Sequence, residues 1–212
     1  ASFTSPCSVF SAPWADNLDG GTWVSDNSSS SINSQIDQCW ERNPNNTTTY
    51  SWRVRTTSTG SGSTSTGPAA DKSGTGNYAY TEASSGASGN VAILETPLVD
   101  ISSLAIPQLK FWYHFYGTTI NRMYIEVSDG SGWITLDSIV GQQQTSGTAA
   151  WLEDSVIIPV TGIVQARFRA ISNGCCAGDL AIDEVSISDG PSCVPPVAIS
   201  DSVITGDGVN IH

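Results

Sequence analysis

The 212-residue chain sets twenty Asp and Glu against eight Lys and Arg, a net charge of −12. So few cations exclude nucleic acid and an anionic membrane as partners, since both are bound by basic surface that displaces counterions. Hydrophobic residues make up 39% and charged ones 13%, so the polarity comes from Ser, Thr, Asn and Gly, and no stretch approaches the roughly 20 apolar residues of a membrane helix.

Residues 1–13 read as a lead-in marked by Pro6, Cys7 and Pro13. With no signal segment in front, the chain reads as a mature fragment of a longer protein. Residues 25–36 and 56–76 are rich in Ser, Thr and Gly and read as loops, the second holding the Gly67-Pro68 turn signal. Residues 108–116 alternate: Leu109, Phe111, Tyr113 and Phe115 face one side, Lys110, Trp112, His114 and Tyr116 the other. Met123, Ile125 and Val127 alternate in the same way, and Asp129-Gly130-Ser131-Gly132 turns the chain into a partner strand beginning at Trp133. Val164, Ala166, Phe168 and Ala170 form a further apolar face. No segment of helical length keeps a 3.6-residue period, so the chain reads as an all-β sandwich. Its main domain spans residues 14–190. Pro191, Pro195 and Pro196 mark a boundary around Cys193. Residues 191–212 read as a linker or the start of a fibronectin type III-like module, with a final edge strand of the same domain as the alternative.

Asp183 shares strand parity with Ala181, Val185 and Ile187. If those face the core, so does Asp183, and a buried carboxylate needs a cation or a set of donors. Oxygen ligands favour Ca²⁺, or Na⁺ as a weaker occupant. Asp183 and Glu184, adjacent on a strand, should point to opposite faces and so cannot flank one bond. His114 and His212 are the histidines, and a nucleophilic triad would depend on His114 alone; the chain therefore reads as non-catalytic. Trp112, His114 and Tyr116 form a candidate ligand face beside Arg167 or Arg169, if those strands are neighbours. Exposed aromatics of this kind stack on sugar rings. Formal glycosylation acceptors begin at Asn27, Asn45 and Asn46. Five cysteines fit an oxidising compartment, with at least one thiol left over.

A set of phrases in fixed order draws these features together. They are Cys39-Trp40, Tyr50-Ser51-Trp52-Arg53, Thr66-Gly67-Pro68 with Asp71, and the run from Tyr78 to Ser84. Thr96-Pro97-Leu98-Val99-Asp100, Phe111-Trp112-Tyr113-His114-Phe115-Tyr116-Gly117 and the run from Gly178 to Val185 follow. Over roughly residues 14–188 the chain resembles the MAM domain, an extracellular module. The resemblance implies a jelly-roll β-sandwich of two antiparallel sheets. It implies a structural cation held by Asp19, Asp71 and Asp183, with carbonyls of residues 72–76; Leu18-Asp19 stands where the family has Phe-Glu. It implies a disulfide from Cys39 to Cys7. Cys7 to Cys193 is the alternative, and Cys175-Cys176 reads either as a vicinal bond or as a source of a partner for Cys193. The implied function is adhesion or protein–protein interaction within a larger secreted or cell-surface protein with flanking domains, of bacterial type from its Cys-Pro junction. The rival is a carbohydrate-binding module that targets an enzyme to a polysaccharide.

Overall fold

In the computed structural model, residues 7–28, 31–45, 49–56 and 65–191 are described. Cys193, most of the 191–212 segment and Ser29, Asn46, Thr47 and Thr48 of the glycosylation acceptors lie outside them. The described residues form thirteen strands and no helix. In chain order these are β1 (Phe10–Ser11), β2 (Trp14–Asp16), β3 (Glu41–Asn43), β4 (Trp52–Arg55), β5 (Tyr78–Thr81), β6 (Ser88–Glu95) and β7 (Val99–Asp100). Then come β8 (Pro107–Phe115), β9 (Ile120–Ser128), β10 (Trp133–Val140), β11 (Leu152–Ile157), β12 (Ile163–Asn173) and β13 (Leu180–Asp189).

Two sheets stack face to face. One runs β1-β7-β12-β6-β3, with β9 on the other side of β12 and β10 beyond it. The second runs β11-β8-β13-β5-β4, with β2 beside β13. Every pairing is antiparallel except the two-residue parallel contact of β1 with β7. Through β1, residues 10 and 11 of the expected lead-in join the sheet.

The alternation expected from the sequence fills the space between the sheets. Leu109, Phe111 and Phe115 of β8 meet Met123, Ile125 and Val127 of β9 and Val164, Ala166, Phe168 and Ala170 of β12, all fully buried. Phe111 and Phe168 join the layers edge to face, ring centres 4.9 Å apart.

A second buried layer covers the outer face of the β8-β13-β5 sheet, where Tyr78, Tyr80 and Ala181 pack with Trp151. Its roof is made of loops. Gly67 N donates to Tyr116 O, Ala69 N to Gly147 O, and the Trp151 indole to Ala70 O. This roof corrects the ligand face expected at Trp112, His114 and Tyr116. His114 points outward from β8 as predicted, but it is fully buried beneath the roof, 5.5 Å from the Trp151 ring. Arg167 and Arg169 are on β12, in the opposite sheet, and do not border it. The condition that those strands be neighbours fails.

Both described chain ends meet at one end of the sandwich. Gly190 N donates to Ile106 O, Asp189 accepts from the amides of Ala105 and Ile106, and Ala12 N donates to Asp100 O. The connections after β8 and β12 lie at the far end.

A buried acid pair and two aromatic faces

Asp183 is 1% exposed and Asp71 4%. Asp183 accepts from Lys72 N at 2.9 Å and Glu184 N at 2.7 Å. Burial pushes its carboxyl up to about 8, and the nearby charges of Asp71 and Glu184 push the same way against those two donors. Asp71 accepts both the amide and the hydroxyl of Ser73 on Oδ2, at 3.0 and 2.5 Å. Its Oδ1 is buried with no hydrogen-bond partner. Two buried carboxyls thus lie near enough for their charges to interact, and one carries an oxygen without a hydrogen-bond partner. That donor set suits a hard cation with oxygen ligands.

The burial of Asp183 was expected, but its surroundings differ from the expectation. Leu180 and Ile182 face the sandwich core before it, and Val185 and Ile187 face it after. Between them the pairing with β8 shifts register, and Glu184 sits at φ 45°, in the left-handed region. This bulge leaves Asp183 on the outer face with Ala181, beneath the loop after Gly67-Pro68. It also turns Glu184 back. Lys72 Nζ lies 2.9 Å from Glu184 while Lys72 N holds Asp183, so the two adjacent acids meet one residue. The expectation that they occupy opposite faces fails here.

Asp19 reaches the same loop at another point. Leu18 takes φ 58°, and Asp19 then accepts from Asn77 N at 2.6 Å and Asn17 Nδ2 at 2.9 Å. Asn77 in turn donates to Leu18 O. Asp19 is exposed. Among the described residues, no three His, Cys, Asp or Glu side chains group closely enough to hold a metal ion. The structure therefore brings together Asp71 and Asp183, and places Asp19 on the far stretch of the loop. Sequence reasoning missed Asp16, whose Oδ2 accepts from the indoles of Trp23 and Trp40 and whose Oδ1 accepts from Leu18 N. It fixes the turn that delivers Asp19. Two tryptophans in loop sequence, each needing an acceptor for its N–H, were the available signal.

Aromatic side chains reach the surface on both sheets. Trp112 is half-buried, with Lys72 Nζ 4.6 Å above its ring. On the outer face of the β9-β12 sheet, Arg167 lies 3.9 Å over Trp133 and Arg169 4.1 Å over Tyr124. Glu126 bridges both guanidiniums, at 2.6 and 2.8 Å.

His114 is held neutral. Burial lowers it to about 4, and neither ring nitrogen has a hydrogen-bond partner of good geometry. Cys7 and Cys39 form a disulfide across 32 residues, the pairing that the resemblance implied, and Cys175 and Cys176 form a vicinal one.

The family description "MAM domain, meprin/A5/mu" matches residues 33–193. Over 129 residues the chain is 32% identical to neuropilin-1a of Danio rerio, covering 58% of this chain and 13% of that protein. Over 159 residues it is 30% identical to MAM domain-containing glycosylphosphatidylinositol anchor protein 2 of Homo sapiens, covering 69% of this chain and 16% of that one. The chain therefore spans only a small part of the curated relatives it matches. Among solved structures, the K1 cleaved adhesin domain of Lys-gingipain from Porphyromonas gingivalis shares the fold, with a TM-score of 0.55 at 16% identity over 85% of this chain and 99% of that one. The family match runs from the loop before β3 through the end of β13 and so takes in both sheets, the acid pair and the roofed histidine: the chain belongs to the MAM domain family.

Proposed function

We propose that this chain is a non-catalytic adhesion or protein-interaction module of a larger secreted or cell-surface protein, steadied by one structural Ca²⁺ or Na⁺. The burial of His114 carries the non-catalytic part. A serine or cysteine nucleophile needs an accessible base, and His114 is packed under the 65–71 and 144–151 loops with its ring neutral. Family membership supports the interaction role. The name of one relative includes a glycosylphosphatidylinositol anchor, which supports a cell-surface setting. Asp71 and Asp183 would hold the cation, with Asp19, at the other end of the 71–77 loop, as the third acid that the family resemblance supplies. The cation supplies charge neutralisation and ties the chain before β3, the 71–77 loop and β13 together. No bond is made or broken there.

Deleting the module from the parent protein should reduce attachment or assembly while sparing turnover on small soluble substrates. Hydrolysis by the purified chain that His114→Ala abolishes would overturn the reading.

A second reading, polysaccharide binding, has one observation in its favour. Trp133 and Tyr124 are half-exposed on the outer face of the β9-β12 sheet, beside polar arginines. The candidate aromatics of this reading are then Trp133 and Tyr124, each with one ring face covered by a guanidinium, beside the half-buried Trp112 of the other sheet. Retention on an insoluble polysaccharide that Trp133→Ala weakens and Trp112→Ala does not would establish it.

A further inference from the structure

The two disulfides differ in what they can do for the fold. A cross-link stabilises chiefly by shortening the loops open to the unfolded chain, and the effect grows with the logarithm of loop length. Cys7–Cys39 closes 32 residues. Cys175–Cys176 joins neighbours and removes almost no unfolded-state freedom. Any role for it is therefore local.

Its surroundings define that role. The pair sits in the connection between β12 and β13, at the end of the sandwich opposite the described chain ends. Cys175 is exposed; Cys176 is partly buried, its sulfur 3.8 Å from Ser84 O. The residues that follow hold the neighbouring loops. Ala177 O accepts from Thr119 N, Asp179 N donates to the Thr66 hydroxyl, and Asp179 Oδ1 accepts from Ala83 N. Asn173, two residues before the pair, is the strand partner of Ser88. Loops 65–67, 83–87 and 117–119 are thus pinned by the segment that carries the pair.

We propose that Cys175–Cys176 is a thiol–disulfide exchange site for an external dithiol, and that its reduction loosens the tip loops while the sandwich stays folded. One thiolate of the dithiol attacks the exposed Cys175 sulfur. An S–S bond forms between them, the Cys175–Cys176 bond breaks, and its electron pair leaves on Cys176, which takes a proton. The second thiol of the reductant then attacks the mixed disulfide and releases Cys175 as a thiol. Two electrons and two protons enter the protein, and the dithiol leaves as a disulfide.

The test is graded reduction of the native full chain with dithiothreitol, followed by alkylation and peptide mapping. Cys175 and Cys176 should be alkylated at dithiol concentrations about tenfold or more below those that open Cys7 and Cys39. At that step the melting temperature should move by no more than about 1 °C. Amide exchange should quicken about tenfold in residues 83–87, 117–119 and 174–179, and hold steady in β6, β8, β9 and β12. A Cys175→Ser, Cys176→Ser double variant should reproduce the reduced exchange pattern. Four results would each overturn the proposal: alkylation of the pair without dithiol, opening of Cys7–Cys39 first or together with it, unchanged tip exchange after selective reduction, or loosening that spreads into the strands.

Discussion

Replacing Asp183 with Asn should stabilise the metal-free chain at neutral pH, although it removes a side chain that accepts two hydrogen bonds. The folded carboxyl is raised to about 8 from 3.8. Between those values the folded chain keeps a proton that the unfolded chain has released. Stability therefore falls as pH rises, by about 1.4 kcal/mol per unit. Below 3.8 both states are protonated and the loss is absent; above 8 both are ionised and the loss is complete. At pH 7 it amounts to about 4 kcal/mol. The amide introduced by Asp183→Asn has no proton to lose. It can accept from only one of Lys72 N and Glu184 N, which costs about 1–3 kcal/mol. The variant should thus exceed the wild type by about 1–3 kcal/mol at pH 7 and fall below it near pH 4. Urea denaturation from pH 4 to 8 with chelator present measures both. The difference between the two proteins reports this group together with its coupling to Asp71 and Glu184, since titrations elsewhere are shared. A difference that stays constant over that range refutes the argument. Calcium should then raise the stability of the wild type alone. A wild type indifferent to calcium and to chelator would remove the cation from the proposed function and leave the proton argument standing.

Other outcomes follow from the same structure. His114 is lowered to about 4 from 6.5, so the unfolded chain binds the extra proton and stability drops as pH falls through that window, by about 3 kcal/mol in all. His114→Leu should abolish that acid-side loss in urea midpoints taken from pH 6.5 to 4, and an unchanged slope would contradict the assignment. Cys7→Ser opens the 32-residue loop and should cost about 4 kcal/mol in chemical denaturation; a loss below about 1 kcal/mol would mean that the bond constrains little. Glu126→Ala leaves Arg167 and Arg169 facing each other without their shared acceptor. It should cost about 2–3 kcal/mol and shift the fluorescence of Trp133; denaturation indistinguishable from wild type would show the triad to be energetically idle.

Much of the fold was legible because sandwich strands carry a period of two. The apolar series of β8, β9 and β12 faces the core, with Tyr113 only partly buried, and the Gly-rich turn after Ser128 delivers β10 as expected. The Cys7–Cys39 bond came from resemblance, since spacing alone allows several pairings. What periodicity cannot supply is which strands share a sheet. Arg167 or Arg169 was expected beside Trp112 if their strands were neighbours, yet β12 lies across the core from β8. Nor does it report on loops. His114 alternates as a surface residue should, and only the long-range contacts of Ala69 with Gly147 and of Trp151 with Ala70 roof it over.

The acid pair shows how one residue defeats a correct count. Parity places Asp183 with Val185 and Ile187, in the core. The bulge at Glu184 inserts an extra residue, so inward positions run Leu180 and Ile182, then Val185 and Ile187. A glycine at a left-handed position would have announced the bulge; a glutamate does not. Asp183 is buried all the same, because the 71–77 loop lies over the place to which the bulge moves it. The distinction bears on function. A carboxyl in the sandwich core would have aliphatic and aromatic neighbours and no path to solvent. Outside the core, beneath a surface loop, it lies beside Asp71 and under backbone that a cation entering from water could reach and draw closed. The bulge, more than the parity that pointed to Asp183, makes a cation site physically reasonable there.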